Sequence, residues 1–161
     1  MAQDDFFLKI DGVDGESQDD KHKGEIQVSS FSLGVANTGA GGFGQGSGSA
    51  KASVQDMHFT KLADKSSPNL FVACCNGKHF PTATVTVRKA GEKPHEYLVY
   101  KLTEVLVSSF QTSGHGGGGI AQESLSLNFS KIEMAYAPQN ADGTPGAKIV
   151  KTYDIQKNLV S

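Results

Sequence analysis

The segment from Glu96 to Phe110 constrains the fold most, because it alternates like a β-strand and yet carries apolar side chains on both faces. One face holds Tyr97, Val99, Val105 and Val107, and the other holds Leu98, Tyr100, Leu102 and Leu106. A sheet with one solvated face would show polar residues at every second position, so we expect both faces to be covered. A single core covers one face. A helix or another subunit has to cover the second, which makes the first set of four the candidate subunit interface.

Six further segments read as strands or parts of strands. They are Phe6 to Ile10, Glu25 to Gly34, Lys51 to Leu62, Pro81 to Lys89, Glu123 to Tyr136 and Ala147 to Ile155. In two of them the apolar phase shifts by one residue, near Ser29 and near Ser130, which indicates β-bulges. The pattern predicts a mainly β, single-domain chain over residues 1–161: a closed or nearly closed β-barrel of two packed antiparallel sheets.

One short helix is predicted at about residues 67–76. Ser67 is the candidate N-cap, Pro68 suits the first helical turn and Gly77 supplies the C-terminal stop. Such a helix flanks one face or one end of a β structure and covers little more.

Two long glycine-rich loops interrupt the strands, at Val35 to Ala50 and at Gly114 to Gly119. The first contains Gly39, Gly41, Gly42, Phe43, Gly44, Gly46 and Gly48. Residues 39–44 fit the dinucleotide-binding spacing, but no helix follows to bind a pyrophosphate, so we expect no nucleotide cofactor. A loop with this much glycine is costly to order alone, and we expect it to project and meet a partner.

Composition and charge argue against several other classes of function. The 161 residues carry a net charge of −2, which gives no electrostatic case for nucleic acid or an anionic membrane as a partner. No apolar run approaches a membrane span, and the acidic N-terminus lacks the features of a secretory signal, so we expect synthesis in the cytoplasm. The adjacent Cys74 and Cys75 are predicted to be free thiols.

Catalytic and metal-binding motifs are also missing. The five histidines form no ligand pair, and the acidic loop from Asp11 to Asp20 misses the spacing of an EF-hand. There is no nucleophile elbow and no cysteine beside an evident base. We therefore expect no catalytic residue, no metal and no cofactor, and a protein that is not an enzyme.

Motifs along nearly the whole chain resemble the Hcp family (haemolysin-coregulated protein) of bacterial type VI secretion. The matching motifs are residues 9–12, 15–17, 22, 25–26, 28, 31–34, 54–61, 64–70, 77–81, 88–91, 97–98, 102–109, 123 and 127–129. Leu33 departs from the family, many of whose members carry Trp there. Each motif is weak alone, and together they are specific.

The resemblance implies a structural tube subunit that forms hexameric rings. The rings would stack, carry effectors and be propelled from the cell with the sheath, spike and baseplate components. It also implies secretion without a cleaved signal peptide. Ser32 matches a position that lines the ring channel, and the Gly39 to Gly48 loop matches one that helps rings to stack. The alternative that the residues leave open is a monomeric β-barrel module that binds a small ligand or a peptide.

Overall fold

The computed structural model describes residues 4–37 and 51–161. The predicted stacking residues from Gly39 to Gly48 lie outside the described residues. The elements in chain order are β1 Asp5–Ile10, β2 Ile26–Val28, β3 Ser30–Ser32, β4 Val35–Asn37, β5 Ala52–Val54, β6 Met57–Leu62, α1 Ser67–Asn76, β7 His79–Lys89, β8 His95–Ser113, β9 Gln122–Asn128, β10 Lys131–Tyr136, β11 Ile149–Asp154 and β12 Leu159–Val160.

The strands form one ten-stranded antiparallel sheet and one two-stranded hairpin. The larger sheet runs β12–β11–β10–β8–β7–β1–β2, and the second half of β8 also pairs with β9, which pairs with β6, which pairs with β3. The mainly β class with one short helix is confirmed. The second sheet, however, is only the β4–β5 hairpin. Of the predicted closed or nearly closed barrel, the closed form is not present in the described ladders, because β2 and β3 are joined through Ser29 along the chain rather than by pairing with each other.

Strand β8 reverses its inward face at Glu104, which corrects the interpretation of its two apolar faces. Tyr100 and Leu102 face the core before Glu104, and Val105 and Val107 face it afterwards. Glu104 has a φ of 52°, a conformation that side chains other than glycine rarely adopt. A second change of phase follows at the register shift between Val107 and Ser109, after which Phe110 faces the core. The strand therefore serves one core throughout, and its apolar residues do not by themselves require a second cover.

Two of the four candidate interface residues are consequently excluded from a subunit interface. Val105 is 0% exposed and Val107 is 2% exposed, both within the core of the subunit itself. Tyr97 and Val99 are half-buried and stay candidates. The Tyr97 hydroxyl donates to Asp4, and burial together with this contact raises the pKa of Tyr97.

The helix begins and ends where the sequence predicts, at Ser67 and Asn76. Its N-cap is Ser66 rather than the predicted Ser67, and Pro68 lies in the first turn. Gly77 closes the helix with a left-handed φ of 67°, as expected for a glycine at this position.

Both predicted bulges coincide with changes of strand partner. The backbone N–H of Ser29 donates to Thr60 where β2 gives way to β3, and the N–H of Ser130 donates to Thr103 between β9 and β10. The predicted strand from Lys51 to Leu62 is divided into β5 and β6. The start of the predicted first glycine loop is strand β4, which pairs with β5.

Candidate assembly surfaces

Four neighbouring strands present a polar outer face, which we call the hydroxyl face. Strand pairing aligns its side chains in two rows across β3, β6, β9 and β8. The rows are Ser30–Thr60–Ser124–Gln111 and Ser32–His58–Ser126–Ser109. Neither row contains a lysine, an arginine or a carboxylate, and only His58 can titrate. The two rows are therefore polar with little charge of their own; Ser126 among them is buried, and the Asp56 carboxylate at their border accepts a hydrogen bond from Ser108.

Hydroxyl groups on this face bind one another across the strands. The hydroxyls of Ser30 and Thr60 lie 2.5 Å apart, and Ser126 contacts Ser109 at 2.5 Å and Ser108 at 2.7 Å. Ser32 is exposed, with its side chain turned away from the half-buried Phe31 and Leu33, as the alternation predicts. The sequence alone predicts that Ser32 faces outward, whereas the other members of the two rows become apparent only from the pairing of the four strands.

The hydroxyl face ends in an open strand edge on each side. Within the described residues, β3 pairs only with β6, and residues 107–113 of β8 pair only with β9. An open edge carries unpaired backbone N–H and C=O groups and is a template for pairing with another chain. Both edges are short, and they lie at opposite sides of the same four strands.

The core side of the same strands is apolar and follows the same register. One cross-strand row there runs Phe31–Phe59–Leu125–Phe110, so that a phenylalanine lies at each open edge. Helix α1 packs against β8 on this side, where the rings of Phe71 and Phe110 meet edge to face at 6.2 Å. Leu70 and Ala73 are the buried residues of the helix, whereas Phe71 is 56% exposed and Val72 is 52% exposed.

An apolar groove of about 360 Å³ lies beside the β3 edge, between the β4–β5 hairpin and strands β10 to β12. Its lining includes Leu33, Val35, Val54, Ile132, Met134 and Val160. Val35, Met134 and Val160 are exposed to solvent within the single subunit. The strand pattern did not reveal the groove, because its walls come from three distant parts of the chain.

A buried ionic cluster joins β6, β9 and the start of α1. The Lys61 side chain is fully enclosed, and its Nζ donates to Glu123 Oε1 at 2.6 Å and to Asp64 Oδ1 at 2.9 Å. Ser67 Oγ donates to Glu123 Oε1 at 2.7 Å and accepts the backbone N–H of Asp64 at 3.0 Å. The cluster fixes the corner from which the helix begins. In the sequence, Lys61 falls at the same alternating positions as the inward-facing Met57 and Phe59. This pattern could have predicted a buried lysine that needs a counter-charge.

A second cluster anchors the acidic loop of residues 11–25. Arg88 donates to Asp19 at 2.7 and 2.9 Å and to Asp5 at 3.0 Å. The Arg88 hydrogen bonds lower the pKa of Asp19 from 3.8 to about 2. His22 stacks on Phe7 at 4.3 Å between ring centroids.

The two ring nitrogens of His22 complete this anchor. Nδ1 lies 2.8 Å from a carboxylate oxygen of Glu25, and Nε2 lies 2.6 Å from one of Glu96 on β8. The acidic loop is thus fastened over the outer face of β1 by arginine and histidine. The carboxylates of Asp19 and Glu25 serve the fold in this way, whereas Asp14 and Asp20 are exposed to solvent.

The described part of the chain shows no cluster of side chains arranged to hold a metal ion. No three His, Cys, Asp or Glu side chains there lie close enough to hold a metal ion. Cys74 and Cys75 are free thiols, half-buried and exposed respectively. Helix α1, with 10 residues, is too short to cross a membrane, and residues 4–37 and 51–161 contain no longer helix.

Comparison with known proteins identifies the family of the chain. Residues 7–136 match the family described as type VI secretion system effector, Hcp. The chain belongs to the Hcp family. Protein hcp1 of Pseudomonas aeruginosa is 46% identical over 157 residues, which are 96% of this chain and 97% of that protein.

Solved structures agree with this assignment. The crystal structure of Hcp1 from Salmonella typhimurium is 40% identical, with a TM-score of 0.80 and full coverage of both chains. A structure titled as a type six secretion system protein is 33% identical with a TM-score of 0.90, covering 99% of this chain and 100% of the other. Hcp proteins are structural, secreted proteins of type VI secretion and not enzymes, so the prediction of a non-enzymatic role is confirmed.

Proposed function

We propose that this chain is the ring-forming subunit of a type VI secretion inner tube. Six copies would close into a ring whose channel is lined by the hydroxyl face. The rings would stack into a tube that carries effectors out of the cell, in concert with sheath, spike and baseplate components. The protein would be made in the cytoplasm and exported by this tube, without a cleaved signal peptide, a nucleic-acid partner or membrane insertion.

The pair of open edges on the hydroxyl face carries this proposal. Across the four strands the chain direction alternates, so β3 and β8 run in opposite directions. When a second copy is placed beside the first by rotation, its β8 meets the β3 edge as an antiparallel strand. Backbone pairing can then continue from copy to copy. Such a heterologous contact closes into a ring when its rotation divides a full turn, and six is the number that the family resemblance implies.

The chemistry of the hydroxyl face suits the inside of a channel. Its small hydroxyl groups offer hydrogen bonds to a passing protein without strong charge, which favours weak and reversible contact. Ser32 lies at the β3 edge of this face. Tyr97 and Val99 are further candidates for a subunit contact. The loop with Gly39 to Gly48 and Phe43 is proposed to join neighbouring rings.

Sedimentation velocity and native mass spectrometry at tens of micromolar test the ring. We expect a species at six times the subunit mass of 17.0 kDa. Finding only monomer under these conditions would reject the ring and favour the monomeric binding module.

Two proline substitutions test the open edge of β8. Successive N–H groups in a strand point to opposite edges, so Gln111→Pro and Thr112→Pro remove donors from opposite sides of β8. One variant should disturb the ladder with β9 and lower thermal stability. The other should keep its fold by circular dichroism and fail to form rings. Two well-folded variants that both assemble would exclude this edge from the interface.

A further inference from the structure

We propose that Phe71 and Val72 of one subunit occupy the apolar groove of the next subunit, so that helix α1 forms a second, outer contact of the ring. This inference rests on the proposed ring and specifies which side chains hold it together behind the channel wall. The partner of the groove is a second copy of this chain.

The register of the hydroxyl-face strands leads to this pairing. Phe110 and Phe31 stand in one core-side row at opposite open edges. If the neighbouring β8 adds to the β3 edge in continuous pairing, its strand lies about 4.8 Å away. The neighbour's Phe110 then comes close to Phe31, and Phe71, which packs on Phe110, comes with it.

The groove lies where that helix would arrive. Leu33 lines it and is the second residue after Phe31, on the same core-directed side of the chain. Two residues along a strand span about 7 Å, which is roughly the width of one phenyl ring with its contacts. In the proposed ring, helix α1 of one subunit and the groove of the next subunit thus lie on the same side of the channel wall, behind it, and face each other across the junction.

The chemistry of the two surfaces also matches. Most of the described residues that line the groove are aliphatic or methionine, and the polar ones among them are Lys151, Thr152 and Tyr153. The exposed part of α1 offers Phe71, Val72 and the Cys75 thiol, and no charged side chain lies between Ser67 and Asn76. Contiguous exposed apolar surface of this kind marks an interaction site, and an aromatic anchor in an apolar pocket is the usual form of a binding hot spot.

Photo-cross-linking tests the contact without disturbing the native cysteines. The photoreactive residue p-benzoylphenylalanine is placed at position 71, and ring formation is checked by native mass spectrometry before illumination. We expect an adduct of twice the subunit mass that maps to peptides containing residues 33–35 or 132–134. Rings mixed from light and heavy isotope-labelled subunits distinguish a link between copies from one within a copy. The matched control carries the probe at Ile120, which is 65% exposed and outside the groove.

Substitution of both partners gives a second, energetic test. Val72→Ser and Met134→Ser should each raise the concentration at which rings dissociate by roughly tenfold or more. The double variant should be less than additive, because each substitution already removes the same contact. Ile120→Ser should leave that concentration unchanged. Val72 is chosen because the packing of Phe71 on Phe110 contributes to the subunit fold.

The outcomes separate this inference from the ring itself. Absence of rings in the unsubstituted protein rejects the proposed function and this contact with it. Intact rings that give only internal adducts, or adducts to other surfaces, reject the helix–groove contact and leave the ring standing. Unchanged dissociation of both serine variants rejects it equally.

Discussion

Lys61 and Glu123 form an ion pair of 2.6 Å in which neither side chain reaches solvent to any useful extent. Their strands are paired directly, Lys61 opposite Glu123, and both side chains point to the core side of the strands that carry the hydroxyl face. A buried lysine is tolerated because its three N–H groups find acceptors in Glu123, Asp64, Ser67 and the Leu62 carbonyl. The pair also anchors the first turn of α1 and hence the position of Phe71.

Replacing Lys61 alone should therefore lower the free energy of unfolding substantially. Lys61→Met leaves Glu123 buried without its counter-charge, and we expect a loss of about 3–5 kcal/mol in the free energy of unfolding. The double variant Lys61→Met with Glu123→Gln should recover part of that loss. Urea denaturation measures both. Lys101→Met on an exposed position of β8 is the control and should stay within about 0.5 kcal/mol of the wild type. A Lys61→Met protein as stable as the control would contradict the role of the cluster.

The contact between Asp19 and Arg88 should stabilise the fold in a defined range of pH. The carboxyl has a pKa of about 2 in the folded protein against 3.8 ordinarily, chiefly because Arg88 donates hydrogen bonds to it. A lowered pKa contributes stability that is fully present above about pH 4 and is lost as the pH falls through 2. Asp19→Asn should therefore be less stable than the wild type at pH 6, and the difference should shrink between pH 4 and pH 2.

Urea denaturation at several pH values checks this profile, with Asp20→Asn as the neighbouring control. Asp20 is exposed and has no contact with Arg88. A difference between wild type and Asp19→Asn that stays constant down to pH 2 would rule out the assigned origin.

Gly15 is required by close backbone contact in the acidic loop. A Cβ atom built there would approach the Glu25 carbonyl group and come within 2.6 Å of the Ile26 Cα. We expect Gly15→Ala to cost about 1–3 kcal/mol, because backbone atoms cannot move aside as a side chain can. Gly116→Ala, where a Cβ meets nothing within 4 Å, should be neutral or slightly stabilising. Thermal melting of the two variants decides the point, and equal melting temperatures would show that the loop adjusts.

Ser32→Gln should impair the retention of effector without breaking the ring. The longer side chain would project from the hydroxyl face into the proposed channel, where it would crowd the effector surface. We expect a reduction of severalfold in the effector recovered with purified rings of equal mass. Lys9→Gln, at an exposed position of β1, is the control. Unchanged recovery would remove Ser32 from the effector surface, and a broken ring would show that it is a packing residue.

The fold was predictable where one local pattern has one structural cause. The phase shift at Ser29 leaves a visible mark because polar residues surround it, and Pro68 and Gly77 define helix α1 without reference to other strands. Ser32 follows from the alternation once the inward direction of Phe31 is assumed. Its place in the channel rests on resemblance.

The remaining features depend on contacts between distant residues. The reversal at Glu104 has apolar residues on both sides, so a strand that changes phase looks the same in sequence as a strand covered on two faces. No glycine marks its positive φ. The partner of Lys61 is 62 residues away, and the groove walls come from residues 33–35 and 52–54 on one side and from β10 to β12 on the other. Such pairings are set by the register of the sheet, which a single sequence does not display.

The order in which the strands are synthesised determines when the hydroxyl face can form. The hydroxyl face takes β3 and β6 from the first half of the chain, but β9 has to stand between β6 and β8 before the face is complete. On the ribosome, β3 and β6 therefore emerge long before residue 128, the last of β9, leaves the exit tunnel. The two strands can pair with each other, but the β6 edge that binds β9 has no native partner during that time. In the proposed ring, a nascent subunit would consequently join only after most of its translation is complete, and the topology of the fold itself would keep incomplete chains out.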